Sequence, residues 1–169
     1  MNILLTGEIN TGKSTIVNRY LQTYSGTVGG FRTIRIQTDD DAFFGVYILD
    51  INDKEKILSK KNKVGDCFAD KSLVRYCEVF DTLGIKVMTF NNLPNLIVMD
   101  ELGVIEKNSF CFQKKVHECL DSNIPVIGVI KNKQDPFLDS IRQRNDVKLI
   151  NVDKYNRDAV FERITKMLV

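Results

Sequence analysis

Gly7-Glu8-Ile9-Asn10-Thr11-Gly12-Lys13-Ser14 fits the pattern G-x-x-x-x-G-K-S/T, and its setting narrows the fold more than any other feature of the chain. Ahead of it, Asn2-Ile3-Leu4-Leu5-Thr6 is a short apolar run of strand type. Behind it, Ile16, Val17, Tyr20, Leu21 and Tyr24 recur at helical spacing. Strand, glycine-bearing loop and helix in that order let backbone N–H groups converge on phosphate oxygens at a helix N-terminus, where the dipole favours an anion. Gly7, Glu8, Ile9, Asn10, Thr11, Gly12, Lys13, Ser14 and Thr15 therefore form the expected nucleotide-binding segment. Lys13 is expected to place its charge on the β- and γ-phosphates, and the Ser14 hydroxyl to ligate Mg²⁺.

The remainder alternates between strand and helix. Phe31 to Thr38 and Phe43 to Ile51 read as strands, and Asp39-Asp40-Asp41 between them as the turn of an antiparallel hairpin. The spacing of Leu73, Cys77 and Phe80 predicts a helix from about Lys71 to Leu83. Asn95 to Asp100 reads as a buried strand ending in an acid. A helix follows, capped by Asn108 or Ser109, with Phe112, Val116, Cys119 and Leu120 facing inward. Ile124 to Ile130 is a fully apolar strand, Val147 to Val152 a weaker one, and Val160, Ile164, Met167 and Leu168 mark a last helix. The predicted class is α/β: a P-loop NTPase fold, mostly parallel sheet with helices on both faces and an antiparallel hairpin insertion. With 169 residues and no low-complexity linker, residues 1–169 are expected to form a single domain.

Asp100-Glu101 supplies the expected second half of the site, since ligands in such sheets bind beyond the carboxyl ends of the strands. Asp100 is read as holding Mg²⁺ opposite Ser14, and Glu101 as orienting or deprotonating a water at the γ-phosphate. A carboxylate aimed at water favours hydrolysis over transfer to an acceptor. Catalysis is therefore assigned to Glu101 and Lys13, with Mg²⁺ as cofactor. Arg32, Arg142, Arg144 and Arg157 are candidates for a further cation at the γ-phosphate, with Arg157 ranked first.

Other features narrow the setting. A net charge of +2, from 24 basic and 22 acidic residues, gives no reason to expect a nucleic-acid or membrane partner. Lys60-Lys61-Asn62-Lys63 reads as a solvated loop. The four cysteines show no C-x-x-C spacing and are expected to be buried reduced thiols, in keeping with a cytoplasmic protein. His117 reads as a half-exposed helix residue. Asn132-Lys133-Gln134-Asp135 matches the guanine-reading pattern N-K-x-D, but its polar setting makes coincidence the simpler account.

The chain also resembles the small P-loop nucleoside-triphosphatases that include thermophilic enzymes and the human cancer-related nucleoside-triphosphatase. Thr6-Gly7-Glu8 and Gly12-Lys13-Ser14-Thr15 resemble that family's loop, and Val28-Gly29-Gly30-Phe31-Arg32-Thr33 its glycine-glycine-phenylalanine segment. Gly45 and Val64-Gly65 resemble shorter elements. Asp100-Glu101-Leu102-Gly103-Val104-Ile105-Glu106, with Ser109 and Phe112, is similar to the segment D-E-I-G-K-M-E, and Asn156-Arg157-Asp158 to an N-R-D element. The resemblance implies Mg²⁺-dependent hydrolysis of ATP, GTP and other nucleoside triphosphates to diphosphate and phosphate, with low base selectivity. Departures fall at Ile9-Asn10, where the family has proline-glycine, at Val104, where it has lysine, and at Ile34 and Phe43. The alternatives are a small-molecule or nucleotide kinase, and a nucleotide-binding switch subunit with negligible intrinsic turnover.

Overall fold

The computed structural model describes residues 1–37 and 43–168, so the predicted Asp39-Asp40-Asp41 turn lies outside the described residues. In chain order the elements are β1 (Asn2–Thr6), α1 (Lys13–Thr23), β2 (Val28–Gln37), β3 (Phe43–Asp50), β4 (Lys63–Phe68) and β5 (Leu73–Arg75). Next comes a helical stretch made of α2 (Cys77–Val79), a π-helical segment (Phe80–Gly84) and α3 (Ile85–Val87). Then follow β6 (Leu96–Leu102), α4 (Phe110–Asp121), β7 (Val126–Ile130), α5 (Pro136–Arg142), β8 (Val147–Asn151) and α6 (Arg157–Met167).

Among the described residues the strands form one eight-stranded sheet in the order β5-β4-β3-β2-β6-β7-β1-β8. From β2 to β8 every neighbouring pair is parallel. From β2 to β5 every pair is antiparallel. Side chains on the central strands alternate between two apolar layers, as a sheet covered on both faces requires. Ile3 and Leu5 of β1, Leu96 and Val98 of β6, and Ile127 and Val129 of β7 pack with Ile16, Val17 and Tyr20 of α1 and Val160 and Ile164 of α6. Leu4, Ile97, Met99, Val126 and Ile130 pack on the opposite face, with Phe80, with Phe112 and Val116 of α4, and with Leu138 and Ile141 of α5. Both faces are therefore helix-covered, and the fold class is the expected one.

The predicted β2–β3 hairpin pairing is present, with Phe31 opposite Asp50 and Gln37 opposite Phe44. The sequence did not show that two more strands continue it. Lys71 to Arg75 is not helical: Leu73–Arg75 pairs with residues 65–67 instead. The cause is local. The Asp70 carboxylate accepts from Ser72 N at 2.9 Å and Ser72 Oγ at 2.6 Å, and Lys71 takes a left-handed φ of 66°. Such side-chain-to-backbone bonds stabilise a turn at the expense of a helix. Lys60 and Lys61 are exposed as expected, whereas Asn62 is buried and Lys63 opens β4 in an ion pair with Asp66 at 2.6 Å. All four cysteines are free, but only Cys119 is buried and Cys111 is exposed, so uniformly buried thiols are not what the fold holds. No helix among the described residues is long and apolar enough to cross a membrane.

Helix α4 shows how tertiary contacts take over a local role. Ser109 occupies its N-cap but makes no capping bond from its side chain. The amide of Phe112 instead donates to Asp81 Oδ1 at 2.8 Å, from the π-helical segment packed against it. Phe112 is fully buried, its ring 5.4 Å from Phe31 and 4.7 Å from Phe80. Truncation in such a packed cluster leaves a cavity that the neighbours cannot close. Phe112→Ala is therefore expected to cost about 3–5 kcal/mol, read as a lower urea midpoint at unchanged denaturant slope.

Candidate nucleotide and catalytic site

The loop between β1 and α1 depends on backbone conformations that glycine or asparagine adopts. Gly7 has φ of 132° and Gly12 φ of 91°. A Cβ on Gly7 would also lie 2.3 Å from Val152 O, so position 7 excludes a side chain for space as well as strain. Asn10, at one of the departures from the family loop, sits at φ 62°, a left-handed geometry that asparagine tolerates better than most residues. Ile9 beside it is exposed.

Lys13 is buried, and its ammonium is directed back into this loop. It donates to Gly7 O at 3.0 Å and Glu8 O at 2.5 Å, and lies 3.3 Å from Thr11 Oγ1. The loop thus encloses a positive charge at the N-terminus of α1. One residue on, Ser14 Oγ donates to Asp100 Oδ1 at 2.8 Å, joining α1 to the end of β6 across 86 residues of sequence.

Asp100 is buried, and desolvation pushes its carboxyl up to about 6. The Ser14 hydrogen bond opposes that rise, the neighbouring charge of Glu101 adds to it, and Arg32 and Lys13 oppose it. Arg32 is opposite Asp100 in the β2–β6 register and donates to Asp53 O at 2.8 Å, while its Nε is buried without a partner. A hydroxyl and a buried carboxylate at hydrogen-bond distance are hard oxygen donors. No group of three or more His, Cys, Asp or Glu that could hold a metal occurs among the described residues. One carboxylate and one hydroxyl fit Mg²⁺, which is usually held by few protein ligands together with substrate phosphates and water.

Past Asp100, β6 shifts register against β7, and the Asp100–Glu101 peptide bond is cis. Glu101 N donates to Thr33 Oγ1 at 3.3 Å, and Glu101 Oε1 pairs with Lys131 Nζ at 3.0 Å. Ser14, Asp100, Glu101 and Lys131 line a cleft of about 240 Å³ that extends past Thr33 and Arg35 to Val46 and Cys67. Glu106, a matched position without an assigned role, is fully buried on the same wall. Both its carboxyl oxygens accept from Gly103 N at 3.1 Å, closing the turn after β6, and burial pushes its carboxyl up to about 7. Val104 packs against the apolar layer, and its carbonyl accepts from Arg75 Nε at 3.1 Å.

The remaining candidates separate cleanly. Arg142 pairs with Asp139 and donates to Lys131 O. Arg144 pairs with Asp121 and Asp146, and these contacts fix the α4–β8 junction. His117, half-buried as expected, contacts Ser140 and Arg144. Arg157 opens α6 and lies on the loop between β1 and α1: a Cβ on Gly12 would meet its Cδ at 2.9 Å. Asp135 is buried as the N-cap of α5, with Oδ1 accepting from Phe137 N at 3.0 Å and Leu138 N at 3.4 Å. The N-K-Q-D stretch is accordingly a helix start. The sequence reading did not include Lys131, and it held Thr33 only as the last residue of the Val28-Gly29-Gly30-Phe31-Arg32-Thr33 segment. The one signal for Lys131 was its place as the first charged residue after an apolar strand.

A family model described as NTPase matches residues 2–165. The nucleoside-triphosphatase THEP1 of Methanothermobacter thermautotrophicus is 31% identical over 176 residues, covering 99% of this chain and 96% of that protein. THEP1 of Thermotoga maritima is 29% identical over 170 residues, covering 99% and 95%. The crystal structure of THEP1 from Aquifex aeolicus matches with a TM-score of 0.69 at 22% identity over 99% of each chain. The solution structure of a human cancer-related nucleoside triphosphatase matches with a TM-score of 0.68 at 23% identity, over 99% of this chain and 96% of that one. Both solved structures share the fold described above.

Two outcomes follow from this geometry. The Asp100 carboxyl sits at about 6 against an ordinary 3.8, so its protonated form favours the folded chain. That contribution is complete below the ordinary value and is lost as pH rises through about 6. In chelator and without nucleotide, stability should fall by about 2 kcal/mol between pH 4 and pH 8 through this group. Asp100→Asn should remove that part of the slope in urea titrations at the two pH values. Separately, Asp135→Ala should cost about 1 kcal/mol through the lost cap while leaving the ratio of GTP to CTP affinity unchanged.

Proposed function

Because the chain belongs to the NTPase family, we propose that it cleaves the β–γ phosphoanhydride of nucleoside triphosphates, with Mg²⁺ and with little selectivity among bases. It is a nucleoside-triphosphatase, a hydrolase. The observation that carries the finer reading is the Ser14–Asp100 hydrogen bond, which sets a hydroxyl, a buried carboxylate and the next residue's carboxylate side by side at the N-terminus of α1.

In this reading, the backbone from Gly7 to Thr15 holds the phosphate chain, and Lys13 turns from loop carbonyls to the β- and γ-phosphates. Ser14 and Asp100 hold Mg²⁺. When bound, that ion supplies charge neutralisation on the phosphate oxygens. Arg157 adds positive charge on the outer side of the loop. Glu101 orients a water and takes its proton as the water oxygen bonds to the γ-phosphorus. The bond from that phosphorus to the β–γ bridging oxygen breaks, and diphosphate leaves with the electron pair. Low base selectivity is supported by Asp135, which is buried and uses Oδ1 to cap α5.

The kinase alternative has one observation in its favour. The cleft runs past Glu101 to Thr33, Arg35, Val46 and Cys67 on the antiparallel extension, where an acceptor hydroxyl could meet the same base. Phosphate release in the absence of any acceptor decides between the two. With ATP, GTP, CTP and UTP and Mg²⁺, release rates are expected to lie within about tenfold of one another. Glu101→Gln should lower turnover by at least about 100-fold while nucleotide binding survives. Lys13→Ala should weaken both binding and turnover. Normal hydrolysis by Glu101→Gln would remove Glu101 as the base.

A further inference from the structure

Lys131 immediately follows β7, and β7 lies between β1 and β6. That order carries Lys131 into the gap between the strand that opens into the phosphate loop and the strand that carries Asp100-Glu101. Its backbone is held on both sides. The amide donates to Leu102 O at 2.9 Å, and the carbonyl accepts from the Arg142 guanidinium. Its stem crosses Gly103, where a Cβ would lie 3.1 Å from Lys131 Cδ. Only the end of the side chain is left free to choose a partner, and in this structure it chooses Glu101 Oε1 at 3.0 Å.

The Lys131 and Glu101 side chains are 32% and 26% exposed, and an ion pair in such a half-wet position adds little to stability. Lys131 lines the cleft together with Ser14 and Asp100. A flexible stem ending in three donors is suited to moving between two anions. Diphosphate and triphosphate differ at this end of the site by one anionic group.

We infer that Lys131 is the residue that distinguishes triphosphate from diphosphate: it pairs with Glu101 in the free protein and passes to the terminal phosphate when that group arrives. The exchange leaves Glu101 unpaired beside the γ-phosphate, so the base is released by the substrate it acts on. A bound diphosphate lacks the group that draws Lys131 away, and Glu101 then stays paired. The inference rests on the reading of Gly7 to Ser14 as the phosphate cradle and of Glu101 as the base.

The test is equilibrium binding, which does not require turnover. Affinities for a non-hydrolysable ATP analogue and for ADP, each with Mg²⁺, are measured for the wild type, Lys131→Met, Lys131→Arg, Glu101→Gln and the double variant Glu101→Gln/Lys131→Met. Lys131→Met is expected to weaken analogue binding about tenfold or more, as loss of a charge-assisted hydrogen bond does. ADP affinity should change less than about twofold. Lys131→Arg should keep most of the preference, since it keeps the charge. The double variant should lose the preference relative to Glu101→Gln alone, because the contact is to phosphate and not only to Glu101. An unchanged triphosphate-to-diphosphate ratio in Lys131→Met overturns the inference. So does an equal loss for both ligands, a Lys131→Arg variant that behaves like Lys131→Met, or a double variant that matches Glu101→Gln. If the wild type binds nucleotide but releases no phosphate, the hydrolytic reading fails, while the binding ratios still report on Lys131.

Discussion

The insertion of β7 between β1 and β6 is the constraint on which the rest of the molecule depends. All five residues of β7 are buried, and its centre is Gly128, where a Cβ would lie 2.3 Å from Met99 O. The backbones of β6 and β7 can approach at that point because glycine presents nothing between them. With β7 in place, the glycine-bearing loop after β1, Asp100-Glu101 of β6 and Lys131 after β7 all come together at the carboxyl ends of the parallel strands. The parallel direction is what gathers them, since β2, β6, β7, β1 and β8 all deliver their carboxyl ends to the same side.

At that edge the fold sets carboxylates against burial. Asp100 and Glu106 are both held above the ordinary carboxylate range, chiefly by desolvation. Lys13 and Arg32 oppose the shift at Asp100, and Lys131 opposes it at Glu106. The two acids are nonetheless used differently. Glu106 is enclosed and spends both oxygens on Gly103 N, holding the turn that aims Gly103 under Lys131. Asp100 faces Ser14 and the cleft, where a buried carboxylate has most to gain from a cation. Holding a carboxylate in this way reduces the stability of the free protein once pH rises above its raised value.

Much of this was legible residue by residue. The glycine loop, the flanking strand and helix, the β2–β3 pairing and the inward face of α4 all follow from patterns a few residues long. Where the reading failed, a longer-range or competing contact was responsible. Leu73, Cys77 and Phe80 have helical spacing, yet the Asp70 turn and pairing with β4 make Leu73–Arg75 a strand. Ser109 has the composition of a cap, yet Asp81, close only through packing, accepts from the α4 N-terminus. Asp135 fits a guanine motif by composition, but the amides of the two residues after Pro136 donate to its Oδ1 and make it a helix cap.

The sequence by itself determined that a loop of the pattern G-x-x-x-x-G-K-S sits between a strand and a helix, and that Asp100-Glu101 follows an apolar run of strand type. Those properties belong to neighbours along the chain, governed by backbone sterics, periodicity and side-chain chemistry over a few residues. Only the tertiary structure decided that the expected meeting of Ser14 and Asp100 is a direct hydrogen bond, that Thr33 supports Glu101, that Arg157 lies on Gly12, and that Lys131 is the cation beside Glu101. Strand order sets these meetings. It comes from how two apolar layers close over the whole sheet, a property that no local segment carries.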